Sequence, residues 1–171
     1  MAGPLTIRKR DGISDHELYK EMKKKDRVQA NTATHVNREI EREAARRLVR
    51  AAGQAPAALT RRINELEDEW DIERWLEMNA AALAFTGTVM GIFVNRKFFA
   101  IPCIVLPFLF QHALQGWCPP IPIFRRQGVR TRREIDAEKF ALKALRGDFA
   151  QLERNGDPKK AAHAAWQAAN A

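Results

Sequence analysis

Apolar and polar positions divide this chain into unlike regions. From Thr34, apolar residues return at Val36, Ile40, Ala44 and Leu48, the four-residue spacing that lines one face of an α-helix. Gly53 stands where a C′ residue would stop that helix, and Pro56 suits the first position of another, whose stripe is Leu59, Ile63, Leu66 and Trp70. No Gly or Pro follows until Gly87, so the spacing predicts a helix that runs on or bends near Trp70–Asp71. The stripe then disappears. Met78–Val94 is 17 residues with one Asn and two Thr as its polar content, and Phe98–Phe124 is 27 residues without a charge. Beyond them, Thr131-Arg132-Arg133-Glu134 has the capping-box form. Ile135, Leu142, Leu145, Phe149 and Leu152 share one face of the helix that follows, with Asn155-Gly156-Asp157-Pro158 as its expected end. The Ala-rich remainder around Trp166 reads as a short helix or a frayed tail.

A spanning helix needs roughly 17–25 mainly apolar residues at 1.5 Å rise, and both uncharged runs meet that. A buried hairpin inside a soluble bundle is the competing reading, but core helices usually keep a polar stripe, and neither run has one. Only Asn95, Arg96 and Lys97 lie between them, which forces antiparallel neighbours. The expected fold is therefore all-α: a two-span membrane hairpin with amphipathic helices before and after it. Arg61, Arg62 and Arg74 precede the first run, and Arg125, Arg126, Arg130, Arg132 and Arg133 follow the second, against two positives in the turn. That bias places both termini in the cytoplasm. Trp75 and Trp117 would meet at the same membrane face, and with Arg125 and Arg126 they are the expected interface anchors. Residues 1–30 lack an apolar h-region, so the first run is expected to act as its own insertion signal.

The charge distribution sharpens the division. The chain has 171 residues and a formal net charge of +8, yet Arg96 and Lys97 are the only charges from Met78 to Phe124. The expected organisation is a flexible basic arm (1–33), a helical pair (34–74), the hairpin (75–117), an interfacial turn and helix (118–156) and a tail (157–171). Arg8-Lys9-Arg10 and Lys23-Lys24-Lys25 in the arm suit a solvated tail or anionic headgroups. Nucleic acid is a poor fit, since no aromatic residues interleave the basic ones as a stacking platform. Reactive side chains are scarce. Ser14 is the only serine, and His16, His35, His112 and His163 never fall at the i, i+4 spacing of a helical metal site. Two cysteines form no C-x-x-C, and neither common glycine-rich phosphate cradle occurs. No cofactor and no catalysis are expected.

Gln111 to Phe149, read with the preceding hairpin, resembles the YgaP-like inner-membrane domain family, in which a two-helix hairpin is closed by a G-[FW]-C-P element. Gly116-Trp117-Cys118-Pro119 carries most of the likeness, which spans roughly residues 70–150. Some members attach the hairpin to a rhodanese sulfurtransferase domain. No such domain or active-site loop is present here, so the resemblance implies a bacterial inner-membrane address without sulfurtransferase activity.

Three groups of residues are candidates for function. Gly87 and Gly91 form a G-x-x-x-G, and Ala80 and Ala84 extend it into a seam along which helix backbones approach closely. The seam suits packing on the second span, a homodimer or another membrane protein. Cys118 follows Trp117 at the expected membrane edge. Pro119 and Pro120 would halt the helix, while Arg125 and Arg126 would favour a thiolate. The alternatives for Cys118 are a turn element or a sulfur-handling thiol. Gln111, His112 and Gln115 are polar residues in or near hydrocarbon. With Cys118 at i+7, Gln111 and Gln115 would share a face for interhelical hydrogen bonds or for passage of a small anion or proton. The leading expectation is an assembly or anchoring module; a thiol or transport function and a soluble basic binding protein are the alternatives.

Overall fold

A computed structural model describes residues 26–150 and 158–170. The Arg8–Arg10 and Lys23–Lys25 runs, Leu152 and the Asn155-Gly156-Asp157 stop all lie outside the described residues. Among those described, every regular element is helical: α1 (Arg27–Ala30), α2 (Thr34–Ala51), α3 (Pro56–Asp68), α4 (Ile72–Phe93), a 3₁₀ turn (Arg96–Phe99), α5 (Ala100–Gln115), α6 (Ile121–Arg126), α7 (Arg132–Arg146) and α8 (Pro158–Asn170).

The apolar pair α4 and α5 is antiparallel. Gly91 faces Phe99, Gly87 faces Ile101 and Pro102, and Glu73 at one end meets His112 at the other. Helix α4, and α5 taken together with the 3₁₀ turn that leads into it (Arg96–Gln115, 20 residues), are long and apolar enough to cross a membrane. The chain does bend before α4. Helix α3 stops at Asp68, and Asp71 caps α4 by accepting the Arg74 N–H at 2.9 Å. Pro102 sits in the first turn of α5, where its missing N–H is not needed, and Pro107 lies in the interior.

The end of α5 departs from the sequence reading. Gly116 at φ 72° stops the helix, and Pro119 and Pro120 lead into α6 instead. A Cβ on Gly116 would lie 2.3 Å from the Arg27 Cβ, so the position needs glycine for both its backbone and the close approach of α1. That approach bears only on the end of the expected basic arm, since residues 1–25 lie outside the described residues. Residues 26–33 are folded onto the hairpin, with Val28 buried among Ile72, Leu76, Cys118 and Ile121. Arg27 donates to the Ala113 carbonyl at 2.5 Å and Asn31 to that of Gln115 at 2.9 Å, satisfying acceptors that a helix end leaves orphaned.

A second apolar cluster joins α2, α3 and α7 through Ala51, Leu59, Ile63, Leu66, Ile135 and Leu142. The capping box forms as expected: Thr131 accepts from the Glu134 N–H at 3.3 Å, and Glu134 accepts from the Thr131 N–H at 2.8 Å. Helix α7 ends earlier than its apolar stripe suggested, because Gly147 adopts φ 93° after Arg146. Leu145 is exposed rather than part of the buried face. Lys143, buried on α7, donates to the Ala169 carbonyl of α8 at 2.7 Å.

Candidate functional site

The polar end of the hairpin is where most of the candidate side chains meet. Trp75 lies 5.2 Å from Trp70 and 6.1 Å from Phe124 between ring centroids, and Arg74 stacks over Trp70 at 4.3 Å. Trp75 and Trp117 are both half-buried. Inside this aromatic border, His112 is only 6% exposed and its Nε2 pairs with a Glu73 carboxylate oxygen at 2.5 Å. His112 thus joins α4 to α5, whereas Gln111 and Gln115 bond to each other along one helix at 3.4 Å. Their expected common face with Cys118 does not form, because Gly116 turns the chain before the periodicity reaches residue 118.

Cys118 is corrected in its chemistry as well. It is 4% exposed, packed on Ile72, Leu76 and Ile121. Burial pushes its thiol up, opposed by the backbone N–H of Ile121 and reinforced by the Glu73 charge. The expected electropositive neighbour is engaged elsewhere. Arg125, fully buried, makes a two-pronged contact with Glu134 at 2.6 and 2.7 Å and donates to Asn37 at 2.8 Å. It is a core ion rather than an interface anchor; Arg126 is exposed. Alkylation of Cys118 by a water-soluble reagent should accordingly be slow near neutral pH, with a rate midpoint above the free-thiol value of about 8.5. A midpoint close to neutrality would restore the thiolate. Cys118 also lines a cavity of about 320 Å³ between the helices, together with Leu76, Ala80, Val105, Leu109 and Phe124.

The small-residue seam is occupied by the chain itself. Ala80, Gly87 and Gly91 are buried, Ala84 is partly so, and the two glycines face the second helix of the same hairpin.

Beyond the hairpin, ion pairs tie the polar helices together. Glu138, 2% exposed, accepts from Arg47 at 3.0 and 3.1 Å, from Arg62 at 3.3 Å and from Arg130. Arg130 also grips Glu69 through Nε at 2.7 Å, and its carbonyl accepts the Ile72 N–H at 2.9 Å. The same network therefore fixes where α4 begins. Burial alone would raise the carboxyls of Glu134 and Glu138; hydrogen bonds and charge from Arg125, and from Arg47 and Arg130, bring both below the ordinary glutamate range. The pattern of the sequence pointed to Glu134 only as a cap. The roles of Glu73 and Asn37, and the Arg47 and Arg62 contacts of Glu138, join residues 39 to 91 positions apart, which no local spacing reveals.

No group of His, Cys, Asp and Glu suited to hold a metal occurs among the described residues. Neither protein-family models, curated proteins nor solved structures yield a match to the chain.

Proposed function

We propose that this chain is a non-catalytic membrane protein, an assembly or anchoring module of the bacterial inner membrane, whose hairpin crosses the bilayer and whose ionic helical cap stays in the cytoplasm. The observation that carries this reading is the outer surface of the hairpin. Phe85 is 72% exposed, Phe93 80% and Phe110 67%, with Ile92, Ile104, Leu106 and Leu114 also outside. A contiguous apolar surface of this kind marks a membrane or protein contact, and lipid covers it without requiring any partner. The absence of charge on α4 and α5 from Met78 onward fits the same solvent. At the polar end, Trp75 and Trp117 suit the headgroup zone, and the excess of Arg over the turn favours the cap inside.

An anchoring role follows from rigidity. The cap is tied to the hairpin by the Arg130 carbonyl, which accepts the Ile72 N–H at the start of α4, and by α1, which is bonded to the end of α5 and packed on Ile72 and Leu76, so whatever binds the cap is held at a fixed distance from the membrane. The sulfur-handling alternative loses its support at Cys118, which is buried and lacks the activating guanidinium. Washing native membranes with alkaline carbonate tests the reading: the chain should remain in the pellet, and release into the wash would contradict it.

A further inference from the structure

Beside the polar end of the hairpin, a concavity of about 420 Å³ opens between α2 and α6. Its cationic walls are Arg38 and Arg42 from α2 and Arg126 from α6, with His35 at the first turn of α2 and the buried Arg125 behind them. Among the described residues, Glu39 is the one carboxylate on the lining. Arg38, Arg42 and Arg126 are exposed, and among the described residues none of the three has an ion-pair partner. This contrasts with Arg47, Arg62, Arg125 and Arg130, whose guanidinium groups are all matched to carboxylates. Two further observations give the cluster a direction. Arg125 is 1% exposed, and among the described residues its Nε has no hydrogen-bond partner although both terminal nitrogens do. Helix α2, 18 residues long, begins at this wall with Ala33 as its N-cap, which offers no side-chain acceptor to the first amides, so the positive end of its dipole adds to the field.

The chemistry that answers three unpaired guanidinium groups beside a helix N-terminus is a phosphate. Guanidinium forks match its oxygens two at a time. The placement matters too. Helix α6 packs on the start of α4 through Ile121, and α1, which leads into α2, is bonded to the last carbonyls of α5. The concavity therefore stands next to the level at which the apolar surface ends, where lipid headgroups would lie.

We propose that the α2–α6 concavity binds a phosphate group, carried on the headgroup of an acidic lipid or free in solution. The lipid source rests on the membrane reading above; the phosphate site does not. Bound there, the phosphate would join α2 to α6 and seat the cap on the membrane.

The test uses the full chain in detergent with two probes. Phosphatidylglycerol against phosphatidylcholine in mixed micelles is read by native mass spectrometry, and inorganic phosphate is titrated by calorimetry. The triple variant R38Q/R42Q/R126Q, at exposed positions that leave the core intact, should lose binding by about fivefold per guanidinium, on the order of a hundredfold in all. R46Q/R50Q, on α2 but away from the concavity, should behave as wild type. Selective retention of phosphatidylglycerol that the triple variant loses supports the site with a lipid source. Equal binding of inorganic phosphate, lost in the same variant, supports it with a soluble one. Wild-type protein that binds neither probe, or a triple variant that binds as wild type does, overturns the proposal. Carbonate washing keeps the two readings apart. A chain that stays in membranes yet selects neither probe refutes the site alone, and a chain released by carbonate that still binds phosphate refutes the membrane reading alone.

Discussion

Glu138→Ala should destabilise the cap by about 3–5 kcal/mol, the range for removing one partner of a buried ion pair. The substitution strips the carboxylate from three guanidinium groups at once. Arg47 and Arg62 are partly exposed and recover water, but Arg130 is 4% exposed and keeps only Glu69. The expected result is a large drop in the unfolding midpoint of the detergent-solubilised protein, read by circular dichroism. A loss under 1 kcal/mol would show that solvent already screens the pair. The same network sets an acid limit. Glu134 and Glu138 have carboxyls lowered in the folded state, so the unfolded chain takes up their protons first as pH falls. Their contribution is complete above the unfolded value of about 4.3 and disappears as pH falls through the lower folded values. Glu138→Gln should therefore flatten the acid side of the stability profile as well as lowering it at pH 7.

Replacing Gly87 and Gly91 together with Ile should separate the two helices of the hairpin. A Cβ at 87 would lie 2.7 Å from the Ile101 Cβ and 2.8 Å from the Pro102 Cδ, and one at 91 would lie 2.9 Å from the Phe99 ring. Phe99 can rotate away. Ile101 and Pro102 have their first side-chain carbons in the contact and can yield only if α5 moves. Overpacking costs about 1–3 kcal/mol at each such position, and the further carbons of Ile add to it. The thermal midpoint should fall, and Gly87→Ala should already reproduce much of the loss while Gly91→Ala does not. Unchanged stability with loss of an intermolecular crosslink would instead assign the seam to a second copy of the chain.

The helical class, the break at Pro56, the Thr131–Glu134 cap and the uncharged runs were legible because each depends on residues within a few positions of one another. The hairpin followed from the three-residue connection. What was not legible depends on long-range pairing. Residues 26–33 look like part of a polar arm until Arg27 and Asn31 meet the carbonyls of residues 113–115. Arg125 reads as an interfacial cation in isolation, yet Glu134 and Asn37 convert it into a buried one. Cys118 was misplaced by a single residue: extrapolating the period of α5 past Gly116 ignored that a glycine there can adopt φ > 0 and end the helix. The unpaired arginines of the α2–α6 concavity stand out only once the paired ones are known.

On the membrane reading, the turn joining α4 and α5 lies across the bilayer from the ionic cap. In a chain with Cys103 and Cys118 replaced by alanine, single cysteines at Arg96, exposed in the turn, and at Val49, 77% exposed in the cap, can be labelled with a membrane-impermeant maleimide on intact spheroplasts. Arg96→Cys should be labelled from outside, and Val49→Cys only after the membrane is opened. Labelling of both only after opening, or of both before it, would contradict a hairpin that spans the bilayer with its cap inside.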